Sequence, residues 1–301
     1  MMNRRDALKK FATFSVVSTG SVFVPTVLAN TQCSNNEAID FGSNGNDAKL
    51  LTYIKLDPMS VAKQAYAGYD RGGCMYGVFD AIIKSLADAG HEDACRFAAI
   101  PTNMATFGKG GVFGIGSICG CVNAAAMAIN LLAGINQSAV SRALFRFYEK
   151  SEMPRGDSAF LTAIGAPTRK TDDGTLLEAN LIGKSIAGST LCHTSVTLWS
   201  KASQFGSSHQ AKFERCAQVT AEVAYMLVTY LNQSLEGTLE AELVAPANQD
   251  CAGCHSSTAR EPDAYLGTDV NSTLECQSCH SSHDMAGGVP VHEELTCSDC
   301  H

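Results

Sequence analysis

The sequence predicts a mainly α fold, in which a helical domain bearing scattered cysteines is followed by a small, loop-rich module. Three observations predict it. Apolar residues recur at spacings of three, four and seven between about residues 58 and 235, the repeat of an amphipathic helix. No run alternates apolar and polar residues as a half-buried strand does. Beyond Pro246 aliphatic residues become scarce, while one five-residue cysteine pattern occurs three times.

Residues 30–48, rich in Asn, Ser and Gly, read as a flexible leader in which Cys33 has no structural role. The helical domain, 49–246, follows. Pro58 to Tyr66 begins a first helix. Cys74 to Ala89 makes a second, with Cys74, Val78, Ala81 and Ile82 on one face and Gly90 as its stop. Residues 106–117 form a glycine-rich loop. It has neither the Gly-Lys-Ser/Thr ending nor the preceding strand of a phosphate cradle, so its glycines are expected to allow close backbone approach. Cys119 opens a helix to about Ala133, with the stripe Cys119, Val122, Ala126 and Ile129. Ser138 is placed to cap the next helix, which runs to about Lys150. Residues 153–188 read as loop with short helices. A helix from about Leu191 to Ala202 carries Cys192 and His193 in its first turn. Ser208 to Leu235 is the longest helix, with Phe213, Cys216, Val223, Leu227 and Tyr230 on its stripe.

The terminal module, 247–301, holds Cys251-Ala252-Gly253-Cys254-His255, Cys276-Gln277-Ser278-Cys279-His280 and Cys297-Ser298-Asp299-Cys300-His301. Each is C-x-x-C-H, the attachment pattern of c-type haem. Two thiols bond to the haem, and the adjacent histidine ligates its iron from the proximal side. Zinc explains the pattern less well. Cys251/Cys254 and Cys276/Cys279 have roughly zinc-ribbon spacing, but a third knuckle is then left over, and zinc asks for no histidine after each pair. The composition points the same way. Tyr265, Leu266, Val270, Leu274, Val289, Val291 and Leu295 are too few for a protein core. Three haems would supply one.

A haem iron with six ligands needs a distal partner. His283 and His292 lie inside the module and are the first candidates, followed by His193 and His209 in the helical domain, with Met285 as a sulfur alternative. Six-coordinate haems imply electron transfer. A five-coordinate haem would instead bind a small molecule such as nitrite or a peroxide, and the protein would then be an enzyme.

Residues 1–29 read as an export signal. Arg4-Arg5 opens a twin-arginine pattern, Phe11 to Leu28 is uncharged and mostly apolar, and Val27-Leu28-Ala29 suits a signal peptidase. This predicts a periplasmic protein with no membrane anchor after cleavage. Removal of these residues takes away four bases and one acid and moves the net charge from −8 to −11. From residue 249 onward nine acids face one base, Arg260. Such a balance excludes nucleic acid as a partner and suits docking to a redox protein with a basic face.

Thirteen cysteines are present, and seven lie outside the haem motifs: Cys33, Cys74, Cys95, Cys119, Cys121, Cys192 and Cys216. On residues alone, Cys74, Cys119, Cys192 and Cys216 are either ligands or small core residues. Gly73-Cys74, the run Gly110-Gly111-Val112-Phe113-Gly114-Ile115-Gly116 before Cys119-Gly120, Cys192-His193 and Arg215-Cys216 resemble a family of redox proteins described by four cysteines and a Cys-Gly-Ala-x-x-Gly signature. Together with C-terminal C-x-x-C-H motifs, the arrangement resembles the split-Soret cytochrome c family over about residues 50–301. The resemblance implies a helical, homodimeric, periplasmic electron-transfer protein with clustered haems. It also implies an iron–sulfur centre, in 2Fe–2S form by preference, held by Cys74, Cys119, Cys192 and Cys216. The signature here reads Cys119-Gly120-Cys121-Val122-Asn123-Ala124, so Cys121 rivals Cys119. A chain with three haem motifs also departs from the two haems per chain that the family implies. A thiol–disulfide role for the helical domain is the remaining alternative.

Overall fold

The structure is a computed structural model that describes residues 50–166, 169–170, 176–177, 180–240 and 274. The export segment, the leader with Cys33, all three C-x-x-C-H motifs, His283, Met285 and His292 lie outside the described residues.

In chain order the elements are β1 (Leu51–Thr52), α1 (Pro58–Asp88), α2 (Ala94–Ala98), a 3-10 turn (Thr102–Gly108), α3 (Gly120–Asn130), β2 (Leu132–Ala133), α4 (Gln137–Lys150), β3 (Glu152–Met153), α5 (Ser158–Ile164), β4 (Arg169–Lys170), β5 (Leu176–Leu177), β6 (Ser185–Ile186), α6 (Cys192–Ser203) and α7 (Gln210–Glu236). The fold is mainly α.

The organising element is α1, which is a hairpin rather than a rod. Asp57 starts it by accepting from the Ser60 N–H at 2.8 Å, with Pro58 just inside. At Gly73 the backbone leaves helical geometry (φ 83°, ψ −174°), a conformation open to glycine at little steric cost. The Gln64 amide then reaches Ser85 Oγ at 3.2 Å. On a straight helix these residues would stand about 30 Å apart. Two helices separated near residues 66–74 were expected, and the reversal at Gly73 is their junction. The arms touch at glycines. A Cβ on Gly68 would lie 2.9 Å from Gly77 Cα, and one on Gly77 would lie 2.8 Å from Thr220 Cγ2 of α7.

Against this hairpin pack α7 and α3. Val78, Ile82 and Leu86 of α1, Val122, Ala125 and Ile129 of α3, and Val223, Leu227 and Leu231 of α7 are all at most 2% exposed and share one core. Each such aliphatic larger than alanine contributes about 1.5–3 kcal/mol on burial. A smaller cluster gathers around Trp199 of α6, whose Nε1 donates to the Ile182 carbonyl at 3.0 Å.

Several local expectations need correction. α3 stops at Asn130, short of Ala133, because Leu132–Ala133 pairs in parallel with Leu51–Thr52. Its buried stripe runs through Ala125, and Ala126 is half-buried. Asn136 rather than Ser138 caps α4, its side chain accepting from the Ala139 N–H at 3.1 Å; asparagine is among the strongest caps, and Ser138 already sits inside the first turn. Short strands exist that period reading does not see. Three two-residue pairs form, β1 with β2 parallel, β3 with β6 and β4 with β5 antiparallel, and two residues cannot display an alternation.

Candidate metal centre

Four helices bring five thiols to one cavity of about 440 Å³. Cys74 comes from the start of the second arm of α1, Cys119 and Cys121 from the start of α3, Cys192 from the start of α6 and Cys216 from α7. All five are free thiols. Cys74, Cys119 and Cys121 are buried, with sulfurs all within 4.8 Å of one another. Cys192 and Cys216 are half-buried and face the same space. Cys95 is disulfide-bonded and does not line the cavity.

Local sequence explains this convergence. Cys74 directly follows the reversal at Gly73, Cys119 is the N-cap of α3 and Cys192 is the first residue of α6. Helix starts expose unpaired N–H groups and a positive dipole end, which favour sulfur as thiolate. The loop 108–118 then ties two of these starts together. Cys119 N–H donates to the Thr190 carbonyl at 2.8 Å, Cys192 N–H to Ser117 at 2.7 Å and His193 N–H to Gly116 at 2.9 Å, around an antiparallel bridge between Ile118 and Leu191. Close approach is what Gly120 supplies. A Cβ there would stand 2.6 Å from Cys74 Sγ, 2.7 Å from the Gly108 carbonyl oxygen and 2.9 Å from Met75 N.

The electrostatics are one-sided. Lys109, Lys212 and Arg215 line the cavity, and no aspartate or glutamate does among the described residues. Arg215 is 2% exposed. Its Nη2 donates to Ser195 Oγ at 2.7 Å, its Nη1 lies 4.0 Å from Cys216 Sγ, and its Nε has no hydrogen-bond partner. Tyr148 donates its hydroxyl to the same Ser195 at 3.1 Å. Among the thiols the proton is unevenly held. Hydrogen bonds from Cys121 and Cys74, with Tyr148 adding to them, hold Cys119 well below the ordinary thiol range. The same contact with Cys119 pushes Cys121 and Cys74 up. Burial pushes Cys192 up to about 12 and Tyr69 up, the latter helped by Cys216. Clustered thiolate donors of this kind suit zinc, copper(I) or an iron–sulfur centre.

All four residues named from the sequence, Cys74, Cys119, Cys192 and Cys216, therefore meet, and so does the rival Cys121. His193 and His209, offered from the helical domain as haem ligands, do not line this cavity. His209 caps α7, its Nδ1 accepting from the Ala211 N–H at 3.1 Å, and it stacks on Phe205 at 4.7 Å. His193 is exposed beside Cys192. Sequence reasoning missed Tyr69, Tyr148, Ser195 and Arg215. Only Arg215 carried a signal, as a charged residue beside Cys216 on the face that the apolar stripe buries.

Residues 80–230 match the family described as "Putative redox-active protein (C_GCAxxG_C_C)". That pattern puts glycine before its central cysteine. Gly120-Cys121-Val122-Asn123-Ala124-Ala125 fits it with valine for alanine and alanine for the second glycine. On that register the rival Cys121 takes the signature position and Cys119 is the additional thiol. Cys74 lies before the matched span, and the fold, not the match, brings it to the others. The split-Soret cytochrome c of Desulfovibrio desulfuricans (strain ATCC 27774 / DSM 6949 / MB) is 27% identical over 233 residues, which cover 75% of this chain and 76% of that protein. A solved structure of split-Soret cytochrome c from Desulfovibrio desulfuricans ATCC 27774, described as having a novel iron centre, superposes with a TM-score of 0.63 at 25% identity, covering 79% of this chain and 91% of that one. With half of its length matched, the chain belongs to the C_GCAxxG_C_C family of redox-active proteins, and its likeness in sequence and fold to split-Soret cytochrome c supports a redox electron-transfer protein.

Proposed function

We propose that this protein is a periplasmic multihaem cytochrome that passes electrons between three c-type haems in residues 247–301 and an iron–sulfur centre in the thiol cavity. The observation that carries the second half is the convergence of five free thiols on a cavity whose charged lining is wholly cationic. An anionic, thiolate-ligated group fits that lining, and the orphaned Arg215 Nε has nothing else to meet. Cys74, Cys192, Cys216 and one of the pair Cys119 and Cys121 would hold the group, and the signature register selects Cys121. Bound there, it supplies one-electron redox chemistry.

The chain's own residues do the remaining work. The Ile118–Leu191 bridge fixes Cys119 and Cys192, and Phe113 stands at the mouth of the cavity. Cys251, Cys254, Cys276, Cys279, Cys297 and Cys300 would carry the haems, with His255, His280 and His301 proximal. Haem attachment rests on the three motifs, and export rests on Arg4-Arg5. The homodimer and the basic redox partner rest on the resemblance and on the acidity of the terminal module.

Intact mass with iron and acid-labile sulfide counts on protein matured in a periplasm tests this reading. It requires three haem masses on a chain beginning near Asn30, together with non-haem iron and sulfide in equal amounts. A colourless protein, or one with zinc in its tail, would refute the haem assignment. Haem iron without sulfide would leave the cavity to thiol–disulfide chemistry, which the mutual proximity of Cys74, Cys119 and Cys121 also suits.

A further inference from the structure

A guanidinium lies inside this protein without an ion pair to any carboxylate among the described residues. Arg215 sits on α7 next to Cys216 and is 2% exposed. Its contacts are a neutral hydroxyl, Ser195 Oγ at 2.7 Å, and the Cys216 sulfur at 4.0 Å, and its Nε is unpaired. Arginine keeps its proton in proteins, so this is a permanent buried cation. Such a charge is tolerated only when something opposite in sign compensates it. Lys109 and Lys212 line the same space, which strengthens the demand for an anion in a chain whose net charge is −8.

We infer that Arg215 is the charge-compensating residue of the metal centre and sets its reduction potential. The inference rests on the iron–sulfur reading of the cavity. Thiolate-ligated iron–sulfur groups carry net negative charge, and net charge is one determinant of their potential. When one electron arrives from a one-electron reductant, no covalent bond forms or breaks and Arg215 keeps its proton. The extra negative charge falls within the field of the guanidinium, so Arg215 stabilises the reduced form more than the oxidised form. Ser195 holds the guanidinium in place, and Tyr148 steadies Ser195. Arg215 is in this sense a positioning and tuning residue, acting through the ligands.

The test uses the full mature protein with Arg215→Met and Arg215→Lys. Non-haem iron and sulfide are counted first, and the centre is then titrated with dithionite, followed by electron paramagnetic resonance. The haems, read optically, serve as an internal reference. Arg215→Met should lower the equilibrium constant for reduction at least tenfold, a fall of about 59 mV for one electron, while Arg215→Lys stays within about threefold of the parent. If Arg215→Met loses its iron while Arg215→Lys keeps it, the compensating charge is needed even to hold the centre, and the inference stands. An unchanged potential in Arg215→Met overturns it. So does an equal fall in both variants, or loss of iron from both, because the charge would then not be the cause. A parent protein without non-haem iron would overturn the reading beneath it, and that count is made before any variant is compared.

Discussion

Replacing Gly120 by alanine tests the closeness on which the cavity depends. The new Cβ would stand 2.6 Å from Cys74 Sγ, 2.7 Å from the Gly108 carbonyl oxygen and 2.9 Å from Met75 N. Two of these atoms are backbone and belong to different segments, the end of the 3-10 turn and the second arm of α1. A rotamer change cannot relieve them, so α3 must move away. Overpacking of this kind costs about 1–3 kcal/mol. Alanine gains up to about 1 kcal/mol over glycine within a helix, and less at position 120, the first residue of α3. The clash therefore wins, with a net loss of about 1–2 kcal/mol. At a urea slope of about 3 kcal/mol per molar, the unfolding midpoint falls by about 0.5 M. Because the contact includes the sulfur of Cys74, non-haem iron per haem should fall as well. Urea unfolding of the metal-free protein, with iron analysis of the protein as isolated, reads both effects. A midpoint and an iron content equal to the parent's would show that α3 and Cys74 do not meet as described.

Other changes have equally definite outcomes. Glu222 is buried and accepts the Arg155 N–H at 2.8 Å, and burial raises its pKa from an ordinary 4.5 to about 7. Between those values the unfolded chain has released a proton that the fold still holds, so stability should fall by about 3 kcal/mol as pH rises from 4.5 to 7, then level off; in Glu222→Gln, urea midpoints across that range should lose this slope. His209→Ala removes the cap of α7 and should cost about 1 kcal/mol while leaving the haem spectrum unchanged; an altered spectrum would instead support His209 as a haem ligand. Cys121→Ser should lose most of the non-haem iron while Cys119→Ser keeps more than half, with iron per haem as the measure; the reverse ranking would return the ligand position to Cys119.

The cysteines were legible because each carried a local mark. A glycine precedes Cys74, and an apolar stripe runs through Cys216. Their meeting was not legible from periodicity, because it depends on the reversal at Gly73 and on the bridge between Ile118 and Leu191. A helix-period reading sees the two arms of α1 but not that Gln64 returns to Ser85. Ser138 and Asn136 are equally good capping residues, and only the register of the finished helix puts Asn136 at the N-cap and Ser138 inside the first turn. Arg215 was the larger omission. A stripe of apolar residues says which face of α7 is covered, but charged Glu214 and Arg215 are buried beside that stripe. Glu214 meets the Gln218 amide within α7 and the Tyr66 hydroxyl of α1, the second a partner that only the packed hairpin provides.

That dependence on the finished fold bears on how the centre is filled. Cys74, Cys121, Cys192 and Cys216 come from four different helices, and successive members of the set are at least 24 residues apart in sequence. The cavity exists only after α1 has doubled back and α3, α6 and α7 have docked on it. Under the proposed export, an unfolded chain would carry these thiols into an oxidising compartment one by one, where free cysteines pair as disulfides. A chain folded beforehand would carry them already gathered, with Cys74, Cys119 and Cys121 shielded by burial. Haem attachment makes no such demand, because each C-x-x-C-H is complete within five residues. It is the thiol cavity rather than the haem motifs that, under the proposed export, would give the twin-arginine pattern a physical reason.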